Sequence, residues 1–144
     1  MTLDCDRGKI NNEEFMKQII SFEGLKWGSI TPMDVDGLIE YHDKVFIFIE
    51  TKYGENDMGY GQGTALERLC NCCEKAGKIS YVLFANHNIP HEEKVVLAGL
   101  TVSKIYHKGV WIEESWTVKD VIDTIMIEAG FAKDEPYDDI SKML

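Results

Sequence analysis

Two aspartates, a glutamate and a lysine stand at the two ends of one short stretch of this chain. Asp34 and Asp36 precede an apolar run, Val45 to Ile49, and Glu50 and Lys52 follow it. Carboxylates brought together from such positions can hold a hard divalent cation such as Mg²⁺ or Mn²⁺. Mg²⁺ is usually bound through one or two carboxylates, with water and substrate phosphate filling the other positions. The cation polarises the phosphate and lowers the pKa of a bound water. Asp36 and Glu50 are the carboxylates of choice, and the backbone carbonyl of Thr51 offers a third oxygen. Lys52 is no ligand for such an ion. Its ammonium suits stabilisation of the charge that grows on a phosphoryl group, or orientation and deprotonation of the attacking water. These are the parts of a phosphodiester hydrolase.

The residues converge only if the backbone between them folds back. The stretch reads as a hairpin with strands over residues 33–41 and 44–52. Strand side chains alternate faces with period two, so Asp34 and Asp36 share a face, as do Glu50 and Lys52. A turn with an odd number of residues, centred on Asp43, sets Asp36 opposite Glu50 and Asp34 opposite Lys52. A two-residue turn would put the pairs on opposite faces. Without chemistry, the same charges could be an exposed hairpin whose cross-strand pairs contribute about 0.2–1 kcal/mol each. Against this, Glu50 and Lys52 share a face with Phe46 and Phe48. A carboxylate emerging from a buried face is costly unless used or paired.

The rest of the chain supplies a scaffold. Asn11 and Asn12 are good helix caps ahead of Glu13 and Glu14, and Phe15, Ile19, Ile20 and Phe22 give an apolar face, so a helix is expected over 12–22. Residues 53–63 form a loop with four glycines beside the candidate site. A second helix is expected over 62–76, with Leu66, Leu69, Cys70 and Cys73 facing a core and Gly77 as its stop. Residues 79–86 read as a buried central strand. A further strand over 94–105 alternates less cleanly. Lys108-Gly109 turns into a short strand over 110–113, and Thr117 to Asp120 begins a third helix. A crossover through the second helix returns the 79–86 strand parallel to the second hairpin strand. The expected fold is an α/β/α sandwich around a mixed sheet, one domain over 1–133 with an acidic tail over 134–144.

An aspartate followed, after a strand's length, by (Asp/Glu)-x-Lys at the end of an apolar strand is the signature of the PD-(D/E)XK nucleases. The chain resembles that superfamily at Pro32-Met-Asp34, Asp36 and Glu50-Thr-Lys52, over roughly residues 12–87. It is most similar to small stand-alone members of phages and prophages. The resemblance implies a restriction-endonuclease-like fold and Mg²⁺-dependent hydrolysis of DNA. It implies that Asp36 and Glu50 hold the metal and that Lys52 is the catalytic lysine. Asp34 is the literal match to the family's first aspartate, but Asp36 has the better register. Members often add a glutamate from the first helix, for which Glu14 is the nearest match, with Glu13 and Glu23 as rivals. Some carry a glutamine in the helix after the lysine strand, where Gln62 stands.

Charge sets limits on the substrate reading. The net charge of −10 is concentrated: residues 31–60 carry seven acids against two bases, and residues 113–144 nine against three. Residues 61–112 carry six bases against four acids. Phosphate contacts dominate nucleic-acid affinity, so this balance argues against a tight, general DNA-binding module. Lys75, Lys78, Lys94, Lys104 and Lys108 are the best sources of phosphate contacts, and of these Lys75 and Lys78, with His87 in the loop after the central strand, are the expected substrate contacts. The balance also fits a second reading, an acidic, catalytically silent protein of nuclease fold that inhibits a partner. Cys5, Cys70, Cys72 and Cys73 have neither disulfide nor cluster spacing and read as reduced core residues. Trp27 and Trp111 read as packing residues. With no apolar run of bilayer length and no signal-peptide pattern, the expected location is cytoplasmic. A homodimer would suit cutting of two strands.

Overall fold

The structure is a computed structural model that describes Glu14 and residues 17–131. The chain divides between Met33 and Asp34 into two compact units. In the first, Trp27 and Ile30 exchange backbone hydrogen bonds of 2.9 and 3.0 Å around a tight turn. Gly28 takes the positive φ of 62° that the turn needs. The helix expected over 12–22 is not borne out in its second half. Glu14 is helical, but residues 17–22 are turn, bend and irregular chain. Ile19 and Ile20 are almost fully exposed, so the apolar spacing there buries nothing and β-branched residues give a helix little intrinsic support. Residues 12, 13, 15 and 16 lie outside the described residues, as do Cys5 and the tail over 134–144. Trp27, expected to pack, is exposed.

The second unit is an α/β fold built on a five-stranded mixed sheet. Strands β1 (Gly37–Tyr41), β2 (Val45–Tyr53), β3 (Ile79–His87), β4 (Val102–His107) and β5 (Val110–Glu113) lie in chain order. The β1–β2, β3–β4 and β4–β5 pairs are antiparallel; β2 and β3 are parallel. Helix α1 (Tyr60–Lys75) makes the crossover between the parallel strands, and α2 (Val118–Glu128) follows β5. The expected second strand over 94–105 is instead an irregular stretch, a short 3-10 turn over Leu97–Gly99 and then β4.

Alternation along β2 divides its side chains between two cores. Val45, Ile47 and Ile49 face one side with Leu83, Ala85, Val102, Val118, Val121 and Ile125, under α2. Phe48 faces the other with Val82, Tyr106, Leu66 and Cys70, under α1. Leu66 and Cys70 are the buried stripe of α1; Leu69, expected beside them, is half exposed. Each buried Leu or Val in these layers contributes about 1.5–3 kcal/mol. Thr117 caps α2, its Oγ1 accepting from Asp120 N at 3.1 Å. The backbone pairs Val102 N to Trp116 O and Val118 N to Leu100 O, both 2.8 Å, tie the start of α2 to that of β4.

One irregularity has a large effect on what faces where. Phe84 pairs with Lys104, but Ala85 pairs with Val102, so Ser103 is an extra residue in β4. Such a bulge lets two residues oppose one on the partner strand. Without it, Val102 and Lys104 would share a face. With it, Val102 enters the α2 core, while Lys104 lies on the α1 face with Phe84 and Tyr106.

Candidate active site

The site forms where β1 ends against β2. The turn between them contains three residues, His42, Asp43 and Lys44, and the register runs Gly37 with Ile49 through Tyr41 with Val45. His42 and Asp43 carry positive φ of 52° and 57°, and Lys44 N bonds Tyr41 O at 2.9 Å. The odd count sets Asp36 on the face of Glu50, as the hairpin reading requires. β1 itself is shorter than expected, beginning at Gly37 rather than at residue 33.

The reason for that early end lies in Asp36. Its Oδ2 accepts from Thr51 N at 2.8 Å and from Thr51 Oγ1 at 2.9 Å. A side-chain carboxylate thus takes a donor that a continuing strand would use, and the ladder stops. The same two bonds fix Asp36 beside Glu50. Asp34 lies beyond the paired residues, exposed and outside the strand, so Asp36 rather than Asp34 meets Glu50.

Glu50 is the unusual member. It is only 3% exposed, the one carboxylate among the buried residues described. Its Oε2 is buried without a hydrogen-bond partner among the described residues. An ionised carboxylate in such a place is costly. Burial, then the charge and the carboxyl hydrogen bond of Asp36, push its pKa from 4.5 up to about 7; a hydrogen bond from Gln62 and the charge of Lys52 act the other way. Asp36, Gln62 and Lys52 all act on Glu50, and these four residues name the site. Gln62 comes from the first turn of α1, which covers this face of the sheet. Glu50 and Lys52 pair across the parallel ladder with Phe84 and Asn86.

Asn86 holds the loop that borders Lys52. Its Nδ2 donates to Asn56 O at 2.9 Å, and its Oδ1 accepts from Ser103 Oγ, the bulge residue, at 2.8 Å. Neither Asn86 nor the clamp role of Thr51 was legible from residue types, because both depend on pairing across distant strands.

The expected substrate contacts lie elsewhere in the second unit. Lys78 pairs with Asp43 at 3.1 Å and precedes the residue that pairs with Val45, so it sits at the far end of the sheet from Lys52. Lys75, in the last turn of α1, is at that end too. His87 pairs with Tyr53 one residue past Lys52, on the opposite face; their rings meet edge-on at 5.8 Å, and His87 Nδ1 accepts from Ile89 N. Glu14 belongs to the first unit. Cys70 is buried, its thiol pushed up to about 12 chiefly by burial, while Cys72 is exposed. The three described cysteines therefore present no shared ligand set.

The donors present suit a hard cation. No group of three His, Cys, Asp or Glu side chains gathers among the described residues. A cation here would rest on Asp36, Glu50 with its unpartnered oxygen, and a backbone oxygen, a set of the kind Mg²⁺ accepts when water and phosphate complete the shell. Among the described residues, no helix is long and apolar enough to cross a membrane. Comparison with protein-family models, with curated proteins and with solved structures gives no match.

Proposed function

We propose that the chain is a metal-dependent nuclease with a restriction-endonuclease-like fold, hydrolysing phosphodiester bonds of DNA. The observation that carries this reading is Glu50: a buried carboxylate with an unpartnered oxygen, beside Asp36 and one strand step from a lysine on the same face. Protein interiors do not retain such a group for stability, since an apolar residue would pack there at no electrostatic cost. Asp36, Glu50 and the carbonyl of Thr51 would hold Mg²⁺ or Mn²⁺. That ion, when bound, supplies charge neutralisation at the phosphate and a more acidic water.

The chain's own residues account for the rest. Thr51 holds Asp36 in place through two hydrogen bonds. Gln62 lies near Glu50 and favours its ionised form. The Lys52 ammonium neutralises charge that builds on the non-bridging phosphate oxygens as water attacks. One water is added across one P–O bond, its oxygen to phosphorus and its protons shared between solvent and the departing oxygen.

The net charge of −10 favours a second reading, the silent inhibitor of a partner protein, and one experiment separates the two. Purified protein is incubated with single-stranded, duplex and branched DNA, with Mg²⁺ or Mn²⁺ against EDTA, beside Lys52→Ala. Metal-dependent cutting that is lost in Lys52→Ala, with the mutant still folded, supports the nuclease. Absence of cutting on every substrate, together with unaltered thermal stability on adding Mg²⁺, refutes it.

A further inference from the structure

The bulge at Ser103 does more than shift register. It presents Lys104 on the same face as Glu50 and in the same cross-strand row, Glu50 with Phe84 and Phe84 with Lys104. Two strand spacings separate them, about 10 Å. Lys104 is held there between aromatic faces, its Nζ 4.7 Å from the Trp111 ring centre and 5.4 Å from that of Phe84. Trp111 is itself fixed, its Nε1 donating to Glu67 Oε1 at 2.7 Å. The Lys104 ammonium opens into a pocket of about 190 Å³ rimmed by Asp57, Tyr60, Glu67 and Trp111.

What fills the ammonium's coordination is informative. Asp57 Oδ1 lies 3.0 Å from Nζ, on a carboxylate that is itself largely exposed, at the end of the glycine-containing loop 54–59. The hydrogen bond from Lys104 lowers the pKa of Asp57. A pair whose carboxylate is so exposed contributes little to stability, so an anion of higher charge can replace it at small cost. Tyr60 stands at the rim with 91% of its surface exposed, too bare to serve a core.

We propose that Lys104 is a substrate-binding residue: its pocket takes a phosphate of the nucleic-acid strand flanking the scissile one, with Asp57 as the group it displaces and Tyr60 and Trp111 as the faces against which the adjoining sugar or base rests. This deepens the nuclease reading and rests on it. The row sets a direction from Glu50 toward Lys104 at β4, away from the acidic edge at β1. It also explains how a chain of strongly negative net charge could engage a polyanion, by a local run of Lys52 and Lys104 on one face.

The test uses the full chain in the Lys52→Ala background, so that no substrate is consumed. Affinity for a labelled single-stranded oligonucleotide in Mg²⁺ is followed by anisotropy across a salt series, for Lys104→Gln, Asp57→Asn and, as a charge control in the same loop, Glu55→Gln. Lys104→Gln is expected to weaken binding about tenfold, the scale of one charged hydrogen bond, and to lower the slope of log K against log salt by about 0.7. Asp57→Asn, which leaves the lysine and its packing intact, is expected to tighten binding more than Glu55→Gln does. Inorganic phosphate alone distinguishes a free anion site. If it displaces the oligonucleotide from the Lys104 protein but not from Lys104→Gln, the pocket is a phosphate subsite of the strand. If it binds with no difference in oligonucleotide affinity between the two, the proposal is overturned. Equal affinity of Lys104→Gln and its parent, where the wild-type chain cuts DNA, overturns the subsite and leaves the nuclease standing. A wild-type chain that neither cuts nor binds removes both.

Discussion

Replacing Glu50 by glutamine should make the metal-free protein more stable at neutral pH while removing its response to Mg²⁺. The fold holds this carboxyl at about 7 against 4.5 for the free group. Below pH 4.5 it is protonated in both folded and unfolded chains and its titration has no effect on stability. Between 4.5 and 7 the unfolded chain ionises and the folded one does not, so the unfolded state gains and stability falls as pH rises. Above 7 both are ionised and the loss is complete. At about 1.4 kcal/mol per pH unit, the loss is on the order of 3 kcal/mol. Glutamine keeps the shape, does not titrate and escapes this loss. Urea unfolding of both proteins from pH 4.5 to 8, without metal and then with Mg²⁺, measures it. The wild-type minus Glu50→Gln difference should fall by roughly that amount as pH rises through the window. At pH 8, Mg²⁺ at tenfold over its Kd should recover about 1.4 kcal/mol in the wild type alone. Parallel pH profiles for the two proteins would refute the argument, because they would mean that Glu50 is solvated and its neighbours do not act on it.

Three further outcomes are expected. Thr51→Val removes the 2.9 Å bond from Oγ1 to Asp36 while keeping the branched side chain; it should cost about 1 kcal/mol in urea unfolding and weaken the Mg²⁺-dependent rise in Tm. Lys108→Asn converts the turn at Lys108 and Gly109, with φ of 48° and 83°, to the Asn-Gly pair that such turns favour, and should raise stability by about 0.5 kcal/mol with activity unchanged. Leu66→Ala empties a position 1% exposed under the α1 layer, and calorimetry should show a loss of about 2–5 kcal/mol.

The hairpin was legible because it is a local matter. Period-two alternation and an odd turn around Asp43 were enough to set Asp36 against Glu50, and the register found is the one that reading needs. Gln62 was within reach for the same reason, twelve positions after Glu50, at the start of a helix whose place over the hairpin face follows from its apolar stripe. The lysines were not. Lys75 and Lys78 looked suitable by type, but the parallel return of β3 carries them to the opposite end of the sheet. Lys104 was singled out by type with the other lysines, but its place in the row of Glu50 was obscured by the bulge, which breaks the alternation on which any reading of β4 depends. The same break explains why residues 94–105 read as one long, untidy strand: the irregular stretch, the 3-10 turn and the bulged strand each follow a different rule. The second half of the first helix did not form, Ile19 and Ile20 being exposed there.

The three-residue turn has a further consequence, for the order in which the site is assembled. Asp36 and Glu50 are fourteen positions apart, and closing so short a loop costs little chain entropy. Hairpins form in microseconds, whereas the parallel pairing of β2 with β3 must wait for α1 and joins residues thirty-four positions apart. The acidic pair can therefore meet while the chain is still largely unfolded, and a divalent cation present at that stage would favour the correct register over the slipped one. Gln62, Asn86 and Lys104 join only when the whole sheet has closed. Damage to distant packing would loosen those three first, so a partly unfolded chain should lose its grip on substrate before its two carboxylates part.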